Sequence, residues 1–103
     1  MAPLQDQRVR HSVVFRLAHP DGSDAEREFL AAIAALATIE GVEAFELMRE
    51  VSPKNAYEFA LTMEFADQGA YRAYNQHPDH VSFVRSRWDS EVADFLEIDT
   101  APM

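Results

Sequence analysis

Two segments of strict alternation constrain this 103-residue chain more than any other feature. Every second residue from Val9 to Leu17 is apolar except His11, and every second residue from Tyr57 to Phe65 is apolar. A period of two is the pattern of a strand with one buried face. The sequence therefore predicts two strands whose apolar faces share one core.

The residues around these strands predict the other elements up to the hairpin. Ser23 and Glu26 have the Ser-x-x-Glu spacing of a capping box, and residues 29–37 carry an apolar stripe of helical period. Gly41 is expected to end this helix, since glycine adopts the left-handed conformation of a helix C-terminus easily. Residues 42–51 alternate less cleanly and are expected to form a hairpin with the strand that follows.

A second helix is expected to begin at Asp67 and to break at Pro78, because the residue before proline avoids the helical conformation. Pro78 can itself open the next helical segment. Residues 92–99 then predict a final strand. The order βαββαβ indicates an α+β fold of the ferredoxin-like type, with a four-stranded sheet and helices on one face.

One domain accounts for nearly the whole chain. Residues 1–7 are polar and aperiodic and are expected to form a flexible N-terminal tail. The domain is predicted over residues 8–100, and residues 101–103 are a short C-terminal tail.

Charge and composition exclude several functions. The chain has 18 acidic and 9 basic residues, a formal charge of −9 and no cysteine. The negative charge therefore argues against nucleic acid and anionic membranes as partners, and neither a disulfide nor a thiolate metal site can form. Neither a secretory signal nor an apolar run of about 20 residues is apparent, so the expected location is the cytoplasm.

The second face of the sheet predicts a homodimer. Helices cover one face only, and the open face would carry Ser12, Val14, Ala60 and Thr62. These side chains are small and partly apolar, so they are suited to packing against the sheet of a second copy.

Two histidines and a tyrosine are the candidate catalytic residues. His80 lies in the first turn after Pro78, where a helix N-terminus disfavours imidazolium, and His11 lies on the apolar face of the first strand. Tyr74 precedes His80 by six residues and could share a cavity with it. A neutral imidazole can remove a proton beside a carbonyl while a phenol stabilises the enolate oxygen. Each histidine could instead be a hydrogen-bonded core residue, and Tyr74 could simply belong to an amphipathic helix.

The other two histidines and the remaining motifs give weaker evidence for a functional site. His19 is expected to be a solvated turn residue and His77 a cap at the helix break. Histidines 11, 77 and 80 lack the helical spacing of a metal site, and the three isolated glycines form no phosphate loop. We therefore expect no metal and no organic cofactor.

Four segments together resemble the stress-responsive A/B barrel, or Dabb, family over residues 9–99. They are His11–Leu17, Val51–Asn55, Tyr57–Leu61 and the segment YNQHPDHVSFV at Tyr74–Val84. The resemblance implies a ferredoxin-like protomer whose sheet pairs with a second copy in a dimeric α+β barrel.

The same resemblance implies roles for individual residues. The family includes stress-associated proteins and a cofactor-free plant polyketide cyclase, olivetolic acid cyclase. The catalytic histidine and tyrosine of that enzyme match His80 and Tyr74, and a cavity histidine matches His11. The sequence departs at Phe59, where the cyclase has another histidine.

These observations predict an apolar cavity that binds a small carbonyl or aromatic ligand. His80 would be the base, Tyr74 the donor to oxygen and His11 a second polar anchor. The expected ligand-binding residues are Phe15, Phe59, Leu61, Val84 and Trp88. A cyclase, aldolase or isomerase is one hypothesis; a non-catalytic stress-related binding or structural dimer and a cofactor-free monooxygenase are the alternatives.

Overall fold

The computed structural model describes residues 6–103, in which four strands form one antiparallel sheet. The order across the sheet is β2-β3-β1-β4, so the first and third strands lie in the centre. This arrangement confirms the predicted α+β ferredoxin-like fold. Most of the predicted N-terminal tail, residues 1–5, lies outside the described residues. The strands are β1 Val9–Leu17, β2 Glu43–Arg49, β3 Phe59–Phe65 and β4 Val92–Thr100.

The helices follow the first and third strands in sequence. The first is continued by a 3₁₀ turn at Ala35–Thr38, and the last two are joined by a π-helical turn at Val84–Trp88. The helices are α1 Asp24–Ala34, α2 Gln68–Gln76, α3 Pro78–Phe83 and α4 Asp89–Glu91. Among the described residues, no helix has the length and apolar character needed to cross a membrane.

Side-chain caps define where α1 and α2 begin. The Ser23 hydroxyl accepts a hydrogen bond from the Glu26 amide at 3.2 Å, and Asp67 Oδ1 accepts one from the Ala70 amide at 2.8 Å. Glu26 itself accepts from the Gly22 amide, so only half of the predicted capping box forms. The sequence therefore located both helix starts correctly.

The end of α1 differs from the prediction at Gly41. The α-helix stops at Ala34, and the 3₁₀ turn then brings Leu36 and Ile39 into the core. Gly41 has a φ of 92° and lies in the turn that leads to β2. Its left-handed conformation serves this turn and not the end of the helix.

The break at Pro78 is confirmed. His77 has φ −64° and ψ 134°, which is an extended conformation, and Pro78 occupies the first position of α3. The His77 Nδ1 accepts a hydrogen bond from the Asp79 amide at 3.1 Å. His77 is therefore the cap that the sequence predicted.

The core lies between the helices and the inner face of β1 and β3. Alternate residues of both strands are buried, which confirms the two predicted patterns. Phe29 and Ile33 of α1 are fully buried against them. An aromatic cluster fills the middle of this layer, with the Phe15 ring 5.4 Å from Phe59 and 5.3 Å from Trp88.

An irregularity in β2 explains its unclear sequence pattern. The pairing with β3 shifts between Glu43 and Glu46, and Ala44 between them has a φ of 49°. A bulge of this kind moves side chains out of strict alternation. As a result only Phe45 and Leu47 of this strand are half-buried.

His19 is not the solvated turn residue that the sequence predicted. Its Nε2 lies 2.6 Å from Glu91 Oε1, and Arg87 Nε donates to the other oxygen of Glu91 at 2.7 Å. The Ala18 amide also donates to the Glu91 carbonyl at 2.9 Å. These contacts join the end of β1 to the start of β4, a pairing that local sequence could not indicate.

The open face of the sheet carries an apolar row across all four strands. In the strand register Met48 lies opposite Ala60, Ala60 opposite Val14, and Val14 opposite Leu96. Leu96 and Ile98 are each 50% exposed, and Met48 is 40% exposed. This face therefore presents apolar surface that no helix of the same chain covers.

Candidate active site

A cavity of about 260 Å³ lies between the helices and the sheet. Its walls combine apolar side chains from α1, β1, β3 and the π-helical turn with a few polar groups, as in most small-molecule sites. The polar groups include both candidate histidines and the candidate tyrosine. The lining residues are His11, Val13, Ile33, Leu36, Leu61, Tyr74, Asn75, His80, Phe83, Val84, Trp88, Asp89, Phe95 and Glu97.

The helix break positions His80. Because α3 restarts at Pro78, the His80 ring turns back over α2, and its Nδ1 lies 3.2 Å from the backbone oxygen of Asn75. A carbonyl oxygen can only accept, so Nδ1 carries the proton in this contact and Nε2 keeps a lone pair. The imidazole is therefore held in the tautomer that a base requires.

Burial lowers the pKa of His80 below the ordinary imidazole value of 6.5, and the neighbouring His11 acts in the same direction. The Asn75 hydrogen bond and the charge of Glu97 oppose this effect. The sequence predicted the same neutral ring but attributed it to the helix N-terminus, whereas burial is the main cause. At neutral pH the ring can therefore accept a proton.

Tyr74 packs directly against this imidazole. The two rings are 4.4 Å apart between centroids, and the Tyr74 side chain is buried, with its ring 5.1 Å from Phe65. Within residues 6–103 the Tyr74 hydroxyl has no hydrogen-bond partner, so its donor remains available at the cavity. Burial, followed by the charge of Glu97, raises the pKa of Tyr74, which keeps the phenol protonated.

His11 is anchored by two residues that the sequence did not single out. Its Nδ1 lies 2.6 Å from Asp99 Oδ1 and 3.0 Å from the Tyr71 hydroxyl, which donates to Asp99 Oδ2 at 2.9 Å. Burial, and then Asp99, raise the pKa of Tyr71, so its proton stays in this network. The carboxylate fixes the ring orientation and directs Nε2 away from the pair.

The sequence of β4 did contain a signal for Asp99. Phe95, Glu97 and Asp99 alternate along β4, and antiparallel pairing sets Asp99 opposite His11. Tyr71 lies on α2, the helix that also carries Tyr74. Its contact with His11, at 5.2 Å between ring centroids, depends on how α2 lies on the sheet.

The structure separates the predicted ligand-binding residues into two groups. Leu61, Val84 and Trp88 line the cavity. Phe15 and Phe59 lie below it in the aromatic core, almost without exposure, and are not among its lining residues. The Phe15 ring packs against Phe29 of α1 and against Trp88, and the Phe59 ring packs against Phe15, so both rings contact other side chains.

One group among the described residues has ligand atoms close enough for a metal ion. A ring nitrogen of His11 and carboxylate oxygens of Glu97 and Asp99 all lie within 4.8 Å of one another. The Nδ1 of His11 is already hydrogen-bonded, and both carboxylates are on the exposed strand β4. Two carboxylates and one imidazole suit a divalent cation chemically, but His11 and Asp99 are already hydrogen-bonded to each other and to Tyr71.

Comparisons with known proteins agree with this architecture. The family model for the stress-responsive A/B barrel domain matches residues 9–102. A crystal structure of a Dabb family protein with a ferredoxin-like fold from Mesorhizobium loti is 53% identical, with a TM-score of 0.92 over 94% of this chain and 98% of that chain. No curated protein sequence matches the chain.

Two more distant structures share the fold. A dimeric ferredoxin-like protein of unknown function from Thermobifida fusca is 22% identical, with a TM-score of 0.76 over 97% of this chain and 95% of that one. A hydroxynitrile lyase from Passiflora edulis is 12% identical, with a TM-score of 0.82 over 95% of each chain. At these identities the likeness concerns the fold alone.

Proposed function

The chain belongs to the stress-responsive A/B barrel (Dabb) family, and from this premise we propose that it is a cofactor-independent enzyme acting on a small, largely apolar carbonyl compound. The proposed reaction is of the cyclase or aldolase type, in which a carbon–carbon bond forms beside a carbonyl group. The plant polyketide cyclase that the sequence resembles is the specific model for this activity.

The proposed steps use three side chains. His80 Nε2 removes a proton from the carbon beside a carbonyl, and the electron pair of that C–H bond forms an enolate. The Tyr74 hydroxyl donates a hydrogen bond to the enolate oxygen. The enolate carbon then attacks a second carbonyl carbon, and the proton on His80 neutralises the resulting alkoxide. His11 would hold a polar group of the substrate.

One observation carries this proposal: a base and a donor meet at an open cavity. His80 is neutral, with Nδ1 bound to the Asn75 carbonyl, and its ring is in contact with Tyr74. If these two residues served the core alone, they should bond to each other and fill the space around them. Instead His80 bonds to the backbone, and about 260 Å³ remains beside the pair.

Self-association is part of the same proposal. We infer that two copies pair through the open sheet face, so that Ser12, Val14, Ala60 and Thr62 become buried together with Leu96 and Ile98. The apolar row across the sheet supports this pairing. Structures of the same fold from Thermobifida fusca and Bacteroides fragilis are described as dimeric.

The direct test is turnover of β-polyketone substrates by wild-type protein, His80→Ala and Tyr74→Phe. We expect cyclised products from the wild type, a fall of about 100-fold or more without the base and a smaller loss without the phenol. Lys54→Ala, a change at an exposed loop residue between β2 and β3 that does not line the cavity, is the control for protein handling. Products identical to those formed in buffer would exclude the proposed enzymatic activity. Ligand binding without turnover would favour the non-catalytic binding dimer. Oxygen consumption with a phenolic substrate would instead favour the monooxygenase.

A further inference from the structure

Every charged side chain that lines the cavity, apart from the two histidines, is a carboxylate. These are Asp89 on α4 and Glu97 on β4, both exposed at the rim, and within residues 6–103 neither lysine nor arginine lines the cavity. The nearby Arg87 is already committed to Glu91 through its Nε and Nη2 atoms. The rim therefore carries negative charge without a neighbouring cation to offset it.

The charge of Glu97 reaches the groups around the cavity. A carboxylate oxygen of Glu97 lies within 4.8 Å of a ring nitrogen of His11 and of an oxygen of Asp99. Its charge also raises the pKa values of Tyr74, Tyr71 and His80, which it can do only from nearby. Tyr74 and His80 line the cavity, so a ligand that enters beside them experiences the same field.

The interior behind the rim is apolar. Val13, Leu61 and Phe83 form part of the wall, and Trp88 packs edge-on against the half-exposed Phe95 at 5.4 Å. An aromatic or aliphatic body fits this wall, whereas a carboxylate on the ligand would be left near Glu97 or would lose its hydration against apolar side chains. Both placements cost free energy.

We propose that Glu97, assisted by Asp89, is the specificity-determining residue that excludes anionic ligands, so that the substrate is an uncharged or cationic carbonyl compound. This inference rests on the proposed function, because it takes the cavity beside His80 as the ligand site. It goes further by assigning the charge class of the substrate to two residues that have no part in the proposed chemical steps.

The test is a binding measurement that does not require turnover. Trp88 is the single tryptophan of the chain and lines the cavity, so quenching of its fluorescence reports occupancy. Three para-substituted acetophenones of similar shape differ chiefly in charge: 4-methylacetophenone, 4-acetylbenzoate and 4-(aminomethyl)acetophenone. Protein treated with EDTA is used at about pH 8, where ordinary imidazoles are neutral and no divalent cation masks the carboxylates.

Wild-type protein should bind the neutral and cationic probes about 10-fold more tightly than 4-acetylbenzoate. Glu97→Gln should tighten 4-acetylbenzoate about 3- to 10-fold and leave 4-methylacetophenone within about 2-fold. Glu97→Gln combined with Asp89→Asn should tighten it further. Glu46→Gln on the opposite edge strand removes the same unit of charge from an exposed position outside the cavity and should leave all three affinities unchanged.

Each outcome separates this inference from the proposed function. Equal binding of all three probes to wild type and Glu97→Gln would overturn the charge filter and leave the catalytic proposal standing. Charge discrimination without turnover of any carbonyl compound would support the filter and overturn the catalytic proposal. If none of the probes quenches Trp88, the cavity is not a site for aromatic ketones and the charge filter fails, whereas turnover of β-polyketones still decides the proposed function. Equal effects of Glu46→Gln and Glu97→Gln would assign discrimination to net charge and overturn the role of Glu97.

Discussion

The Nδ1 atom of His11 lies 2.6 Å from Oδ1 of Asp99, across 88 positions of sequence and one pair of neighbouring strands. The His11 side chain is buried, while that of Asp99 is 35% exposed. The carboxylate therefore satisfies an imidazole on the core side of β1 from the last residues of β4. Tyr71 on α2 completes the contact, so one hydrogen-bonded network connects the central strand β1 and the edge strand β4 to the helical layer.

Asp99→Asn should destabilise the protein by about 1–2 kcal/mol, because His11 would lose a charge-assisted hydrogen bond inside a largely buried site. Urea unfolding at neutral pH measures the change. Asp94→Asn is the matched control, since Asp94 is exposed on the same strand and takes part in none of the contacts of this network. Equal unfolding midpoints for the two variants would show that the Asp99 contact adds nothing to stability.

Tyr71→Phe should cost about 1 kcal/mol, because only the hydroxyl that donates to Asp99 is removed while the ring packing against Phe65 is kept. The effects of Tyr71→Phe and Asp99→Asn should not add, since both act on one network. A double-mutant cycle by urea unfolding gives the coupling free energy. Strict additivity would mean that the two residues act independently.

His80 should titrate below 6.5, because burial disfavours its charged form in the folded protein. Between the folded pKa and 6.5 the unfolded chain binds more protons, so this residue makes stability fall as the pH falls through that window, and it has no effect above it. NMR titration of the ring proton measures the pKa. His80→Asn should reduce the pH dependence of the free energy of unfolding between that pKa and 6.5. A His80 midpoint above 6.5 would contradict the neutral base.

Ala44→Gly should leave stability unchanged or raise it by up to about 1 kcal/mol. A left-handed alanine is strained by roughly 1–2 kcal/mol, which glycine relieves, while the added chain entropy offsets part of the gain. Ala31→Gly is the control, because Ala31 is exposed in the interior of α1 with an ordinary φ and should lose about 0.5–1 kcal/mol. Thermal unfolding of both variants compares them, and equal losses would show that the bulge stores no strain.

Leu96→Glu should shift the protein from dimer to monomer, because it places a charge in the apolar row of the open face. Sedimentation at micromolar concentration should give about twice the chain mass for wild type and the chain mass for the variant. Ala31→Glu, which adds the same charge at an exposed position of α1, outside the sheet, should remain dimeric. A wild-type monomer under these conditions would refute pairing through this face.

Local sequence determined the elements and the first candidates for the site. The alternation in β1 and β3, the caps Ser23 and Asp67 and the break at Pro78 depend on residues within a few positions of one another, so their physics is readable along the chain. Tyr74 and His80 belong to this class, because the helix break that brings them together lies between them.

Strand register and helix placement decided the long-range contacts of the candidate site. Asp99 reaches His11 because β4 pairs with β1, Tyr71 reaches both because α2 lies over that pair, and Glu97 stands at the cavity rim for the same reason. The early end of α1 and the seating of Phe15 and Phe59 beneath the cavity also follow from packing. Such contacts join residues far apart in sequence, and their partners are selected by burial and hydrogen bonding in the folded sheet, which no local pattern records.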